Sequence, residues 1–242
     1  MQRILNQVCK AVQKYNLIAF KDKIAIGLSG GKDSLVLLYI LAKYRDYIDN
    51  SISLTAVTID MGFGNFEELL NLKLICSQLE VDFKIERTDI AKIVFDIRKE
   101  KNPCSLCAKM RRGALHDAAK SQGCNKIALG HHLDDVIETY MLNLFNEGRM
   151  ATFTPKAYLS RKDLYLIRPL VYVQERDIKR AIARMQFNVL QNPCPNDKIS
   201  ARAKMKTYLA DLERTNKGVK NRILAQFAEL IYLGFRFKDF RE

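Results

Sequence analysis

A chain of 242 residues, 48% of them hydrophobic, is long enough for one full α/β core with a small appendage. No apolar run reaches the length of a membrane span and the first residues lack the pattern of a secretory signal, so a cytoplasmic protein with no membrane partner is expected. The net charge of +13 is unevenly placed: residues 1–150 hold 21 basic against 18 acidic side chains, residues 151–242 hold 19 against 9, and a basic tail on a near-neutral body points to a polyanionic partner.

The first predicted element is an amphipathic helix over residues 1–16, with Ile4, Leu5, Val8, Val12 and Tyr15 at helical spacing. A buried strand follows from Lys23 to Leu28, then a turn, Ser29-Gly30-Gly31-Lys32-Asp33-Ser34, then an apolar helix through about Tyr44. Ser51 to Ile59 reads as a second strand, Phe66 to Leu79 as a helix and Asp82 to Arg87 as a third strand. Ile90 to Arg98 reads as a helix broken by Lys101-Asn102-Pro103, and Cys104-Ser105-Leu106-Cys107 then stands just before another helix. Lys126 to Gly130 is a strand ending in Gly130-His131-His132-Leu133-Asp134-Asp135, with a helix after it. Met150 to Asp163 reads as an irregular crossing segment, Leu164 to Leu170 as a strand interrupted by Pro169, and Gln174 to Gln186 as a helix. Gln191-Asn192-Pro193-Cys194-Pro195 is a rigid turn, and two helices, about 200–214 and 217–233, close the chain. Alternating strands and helices imply a doubly wound parallel sheet with a short, basic, mostly helical C-terminal region. The one boundary the sequence suggests lies near 147–151, which divides a nucleotide-binding core, 1–150, from a basic extension, 151–242.

In a doubly wound sheet, ligands bind beyond the carboxyl ends of the strands, where the Ser29 turn and the Met61 turn both fall. The glycines of the first turn allow positive φ and close approach of a ligand to the backbone, and the amides of the following helix have no intrahelical partner, so an anion binds there readily. Lys32 adds charge, and Asp33 can hold Mg²⁺ against phosphates. This is not a Walker A loop: Gly31-Lys32 is followed by Asp33, and Ile26 stands where that motif needs its first glycine. No G-x-G-x-x-G is present either. The second anchor is the run 130–135, where Asp134 or Asp135 can bind Mg²⁺ or accept a proton while the other caps the helix. The pair Cys104 and Cys107 fits a redox pair, a zinc half-site or an iron–sulfur half-site. Cys194, fixed between two prolines, is the further cysteine in a special place, whereas Cys9, Cys76 and Cys124 read as core thiols. Three cysteine ligands would leave one corner of a cubane open.

The turn at 29–34 resembles the PP-loop of the N-type ATP pyrophosphatases. Taken with Cys104-x-x-Cys107, Arg111-Arg112-Gly113, the run 130–135, Leu142-Asn143-Leu144-Phe145, Ile167-Arg168-Pro169-Leu170 and Pro193-Cys194, it is similar to the tRNA 2-thiocytidine synthetase (TtcA-like) family over about residues 24–215. The resemblance implies an ATP-dependent tRNA sulfurtransferase with ATP, Mg²⁺ and a 4Fe-4S cluster as cofactors. ATP would lie on Leu28, Ser29, Gly30, Gly31, Asp33, Ser34, Gly130, His131 and Asp135, with its adenine against Ile59 and Met61. Lys32, Asp33 and Asp134 would be catalytic, and Asp33 would hold Mg²⁺. Cys104, Cys107 and Cys194 would ligate the cluster. The C2 carbonyl oxygen of a pyrimidine, cytidine in the anticodon loop foremost, would be adenylated and then replaced by sulfide on the cluster. Arg111, Arg112, Lys198, Arg202, Lys204 and Lys206 would meet the tRNA. A sulfur donor is required, a cysteine desulfurase or sulfide, and a homodimer is allowed. The chain departs from the family in having Pro195-Asn196-Asp197 after Cys194 rather than a second C-x-x-C, and it lacks the cysteine-rich N-terminal finger of the 2-thiouridine synthetases. Two other readings stand beside this one: a tRNA lysidine synthetase-like ligase, which needs no cluster, and a zinc-stapled RNA-binding protein without activity.

Overall fold

The computed structural model describes residues 1–63, 66–98, 103–190, 201–223 and 225, with backbone alone at 66–68. The chain forms two compact units, Met1–His131 with Pro155–Pro193, and His132–Thr154 with Cys194–Glu242. The strands that follow residue 150 pair into the sheet of the first unit.

The first unit holds a six-stranded sheet. Its elements are α1 (Gln2–Tyr15), β1 (Lys23–Gly27), α2 (Lys32–Tyr47), β2 (Ser53–Asp60), α3 (Phe66–Gln78), β3 (Asp82–Arg87), α4 (Pro103–Ser121), β4 (Lys126–Ala128), β5 (Lys156–Leu159), β6 (Leu164–Ile167) and α6 (Glu175–Met185). The second unit holds α5 (Leu133–Glu147) and α7 (Ala201–Thr215), with helical residues again at 219–223. The strand order is β3-β2-β1-β4-β6-β5. Five strands run parallel, as expected from the alternating pattern, and β5 is antiparallel to β6 at the edge.

Strand β5 lies inside the segment expected to be irregular. Its four residues pair with β6 across a turn, Ser160-Arg161-Lys162-Asp163, in which Asp163 takes φ 50°. That turn carries none of the Asn-Gly or Gly-rich signals that mark a hairpin. Pro169 ends β6 and opens a short 3₁₀ turn, Pro169–Tyr172. Residues 92–97 form a π-helical turn rather than a regular helix.

Side chains alternate across β1. Ala25 joins Val57, Ile127, Leu164 and Leu166 in a cluster with Leu115, Ala118 and Ala119 of α4, so α4 covers one face. Ile24 and Ile26 are wholly buried on the other side of the strand, as are Leu35, Leu37, Leu38 and Leu41 of α2. Each such apolar side chain contributes about 1.5–3 kcal/mol when fully buried. At the amino end of the strands, Lys126 and Asp22 form a buried ion pair at 2.5 Å. Asp22 also accepts from Ala19 N and Asn125 Nδ2, and Lys126 Nζ donates to the Leu17 carbonyl. The opposite, carboxyl end is left for chemistry. Strand β1 has β2 on one side and β4 on the other, so the connections reverse direction between β1 and β4, and the switch point lies there.

In the second unit α5 and α7 share a small core of Ile137, Met141, Met205 and Leu209. Among the described residues no helix is long and apolar enough to cross a membrane.

Candidate nucleotide and cysteine site

The turn after β1 is held by its two serines. Ser34 Oγ donates to the Gly31 carbonyl at 2.9 Å and accepts from Ser29 N at 3.2 Å, and Ser29 Oγ accepts from Gly31 N at 3.4 Å. Leu28 is anchored to β2 through its N–H to Val57 O and its carbonyl from Thr58 Oγ1. Gly30 sits at φ 77°, which only glycine adopts without strain. Gly31 does not share that need: its φ is −71°. Its lack of a side chain leaves space instead, since a Cβ there would meet only Ser29 Oγ, at 3.5 Å. Gly31 is the N-cap of α2, and no side chain caps that helix, so its first amides remain for an anion. This is a cradle that a nucleotide's phosphates fit.

The second strand of the switch point closes against this turn. A Cβ on Gly130 would lie 3.0 Å from Asp33 C and 3.1 Å from Asp33 O, so the chain after β4 touches the backbone of the loop at a position where only hydrogen fits. Next to it, His131 Nδ1 accepts from Arg168 Nε at 3.3 Å. That bond leaves the neutral imidazole with its proton on Nε2. Arg168 directly follows β6, and burial pushes its guanidinium down to about 10.

Lys32 and Asp33 pair with each other, Nζ to the two carboxylate oxygens at 3.0 and 2.8 Å. Glu175, in the first turn of α6 and buried, stands 3.2 Å from the same ammonium. Burial alone would lower the pKa of Lys32, but the Asp33 hydrogen bond and charge, followed by those of Glu175, hold it above the ordinary lysine value. Glu175 and Arg168 were not among the site residues expected from the sequence. Arg168 sits at the carboxyl end of a parallel strand, just before a proline, which is a usable signal; nothing in sequence spacing ties residue 175 to residue 32. The stretch after α6 returns to the loop as well: Leu190 N donates to Gly30 O at 3.0 Å, and a Cβ on Gly30 would lie 2.4 Å from the Leu190 side chain.

The cysteine pair is inside α4 rather than before it. Pro103 opens the helix, where its missing N–H costs nothing. Cys104 and Cys107 then lie three residues apart on one helical face, the first exposed and the second half-buried. Cys107 Sγ is 3.9 Å from Met61 Sδ, and Met61, just past the end of β2, has its carbonyl bound by Ala91 N. Ile59 is partly buried against the α4-facing cluster. Cys76 and Cys124 are buried core thiols, as expected; burial pushes Cys76 up to about 12. Among the described residues no three His, Cys, Asp or Glu side chains gather as a metal site. Cys194 and Lys198 lie outside the described residues.

Asp134 and Asp135 belong to the second unit. Asp135 accepts from His132 N at 2.9 Å, while its own N–H goes to His132 Nδ1 at 3.4 Å, so His132 and Asp135 cap α5 between them. Asp134 accepts from Lys220 Nζ at 2.9 Å. Arg202 stands 3.7 Å from Asp135 and 3.9 Å from Glu138, and donates to Thr139 Oγ1 at 2.8 Å. Burial first, then Asp135, against the pull of Lys206 and Arg202, raises Glu138 to about 7. Arg202 and Lys206, expected at nucleic acid, thus face carboxylates of their own unit. Lys204, Arg111 and Arg112 are exposed.

A serine-lined glycine turn at the switch point of such a sheet defines a nucleotide-binding domain of the PP-loop class. The family described as PP-loop domain matches residues 1–212. The chain is 39% identical over 229 residues to the tRNA-cytidine(32) 2-sulfurtransferase of Geobacter sulfurreducens, spanning 92% of this chain and 88% of that one. To the enzyme of the same name from Rhizobium etli it is 37% identical over 231 residues, spanning 92% and 77%. Among solved structures it resembles the U34-tRNA thiolase NcsA of Methanococcus maripaludis, determined with its 4Fe-4S cluster, at a TM-score of 0.78 and 26% identity over 95% of this chain and 78% of that one. It shares the fold of the NMN synthetase of Francisella tularensis, with a TM-score of 0.52 and 14% identity over 89% and 94% of the two chains. The chain belongs to the PP-loop domain family and, within it, to the family of the tRNA-cytidine 2-sulfurtransferases.

Proposed function

We propose that this protein is an ATP-dependent tRNA sulfurtransferase that converts cytidine 32 of the anticodon loop to 2-thiocytidine, releasing AMP and pyrophosphate. The observation that carries the reading is the 3.9 Å contact between Met61 and Cys107. It joins the carboxyl end of β2, where an adenine would rest, to the cysteine pair on α4.

The uncapped start of α2, Ser29, Gly30, Gly31 and Ser34 receive the phosphates of ATP, with Gly130 and His131 closing the loop from the next strand. Asp33 would hold Mg²⁺ with the nucleotide bound, and Lys32 would then exchange part of its pairing with Asp33 for phosphate oxygens. The loop amides and Lys32 stabilise the charge that develops as pyrophosphate leaves. Asp134 serves as the acid or base of the run that begins at Gly130, and Asp135 orders that run through the α5 cap. Cys104 and Cys107, with Cys194 as third ligand, are the residues that would hold a 4Fe-4S cluster. When bound, the cluster supplies an open iron site for the sulfide that replaces the activated oxygen. The cytidine must leave its stack to be reached, which suits a loop nucleotide. Arg111, Arg112 and Lys204, all exposed, meet the tRNA. The enzyme works in the cytoplasm with sulfide or a cysteine desulfurase as donor.

Paired variants test this. Asp33→Ala, folded and purified without oxygen, should keep its iron, about four per chain for a cubane, yet form no AMP. Cys107→Ala should lose iron and thiolation but still bind ATP. Zinc in place of iron, or AMP formation by folded Asp33→Ala, would contradict the assignment.

A further inference from the structure

Arg202 and Lys206 of α7 face Asp135 and Glu138, so Lys204, Arg111 and Arg112 need further charge to meet RNA. Helix α6 offers it. Its carboxylates, Glu175 and Asp177, are buried, and its exposed face carries Arg176, Lys179, Arg180 and Arg184, of which Lys179 reaches back to Glu175 at 3.6 Å. These four recur at helical spacing along about 12 Å of helix. Glu175, at the start of the row, is the residue that touches Lys32 of the PP-loop.

Along one flank of the row, α6 and α1 enclose a groove of about 170 Å³ lined by Arg3, Ile4, Asp177, Arg180 and Arg184. The guanidinium groups of Arg3 and Arg180 stand 3.7 and 3.8 Å from Asp177, beyond hydrogen-bond distance, and are 62% and 71% exposed. Asp177 is 7% exposed, and its Oδ2 is buried without a hydrogen bond. A buried carboxylate oxygen left without a donor is costly, and a ligand hydroxyl would satisfy it. The groove thus pairs an excess of arginine, suited to a phosphate, with one acceptor, suited to a hydroxyl.

We propose that the α6 face and the α1–α6 groove bind the ribose-phosphate backbone of the RNA substrate. One phosphate lies against Arg3, Arg180 and Arg184, and an adjacent ribose 2′-hydroxyl donates to Asp177. The proposal rests on the tRNA reading above and adds to it the surface that meets the strand. The 2′-hydroxyl is what distinguishes RNA from DNA at such a contact.

The test is binding of tRNA by the full chain between 50 and 200 mM salt. Arg180→Ala/Arg184→Ala should reduce the slope of log affinity against log salt by about one, for the single phosphate these two hold with Arg3, at an unchanged melting temperature. A wild-type slope in this variant, with tRNA still bound, would overturn the surface and leave the enzyme assignment standing. Wild-type protein that fails to bind tRNA would overturn both. An anticodon stem-loop of RNA should bind wild-type protein several-fold better than the same sequence in DNA, and Asp177→Leu should narrow that gap. Equal wild-type affinity for RNA and DNA would overturn the hydroxyl contact without needing any variant to fold.

Discussion

Lys32 carries a charge that burial opposes and two carboxylates sustain. Its pKa is raised, so the stabilisation from these pairs is complete below the ordinary lysine value and is lost only as pH climbs through the higher folded one. At neutral pH it is fully present. Glu175→Gln removes one of the two negative neighbours, and NMR titration of Lys32 should therefore give a lower pKa in the variant than in the wild type; an unchanged value would show that Asp33 alone sets it. Gly130 and Lys126 separate function from stability along a single strand. Gly130→Ala drives a Cβ into the Asp33 backbone, which is not free to yield, so overpacking of about 1–3 kcal/mol should fall on the PP-loop and weaken ATP binding. Lys126→Ala leaves Asp22 buried without its cation, which costs about 3–5 kcal/mol. Yet it stands at the far end of the strand, so ATP affinity of the folded fraction should hold. Calorimetry of unfolding and of ATP binding on both variants checks the partition. The loop was legible in the sequence because glycine, serine and lysine between a strand and a helix have few other uses. Glu175 was not, because its role depends on a packing of α6 beside α2 that no local pattern encodes.

At the scale of elements, α5 and α7 form an acid–base clasp. Glu138 is raised to about 7 by burial and by Asp135, while Lys206 and Arg202 pull the other way. The folded state holds that proton over a range, roughly pH 4.5 to 7, in which the unfolded chain has released it. This contribution to stability is thus full below the unfolded pKa and lost as pH rises through 7. Glu138→Gln mimics the protonated form. The melting temperature of the wild type should fall relative to that of Glu138→Gln between pH 5 and pH 8. Parallel melting curves for the two proteins across that range would show that the clasp does not depend on this proton. Element by element, the helices and parallel strands were legible from apolar spacing. Strand β5 is hidden because four residues and a turn without glycine leave no pattern, and the start of α4 ahead of the cysteine pair is hidden because Pro103 opens a helix as readily as it ends one.

Across the whole molecule, the sequence locates the charge excess but not its availability. Of the basic side chains between 198 and 222, Arg202 and Lys220 pair with α5 carboxylates and Arg214 with Asp211. The excess positive charge of the C-terminal half is therefore expressed also by α6, within the sheet unit. With about four phosphate contacts, tRNA affinity should fall roughly a hundredfold between 50 and 200 mM salt; a flat response would mean that the basic faces serve only solubility. The same distinction between presence and placement applies to the cysteines. Spacing alone left a redox pair, zinc or iron–sulfur open, and the position of Cys107 beside Met61 favours a centre that shares its wall with the nucleotide. The most direct test of cytidine thiolation is the product. Protein purified without oxygen is incubated with unmodified tRNA, ATP, Mg²⁺ and sulfide, and the tRNA nucleosides are then analysed by mass spectrometry. 2-Thiocytidine should appear, should require ATP and should be lost in Asp33→Ala and Cys107→Ala. Thiolated uridine instead, or no sulfur in the tRNA from iron-loaded wild-type protein, would contradict the assignment as a cytidine sulfurtransferase.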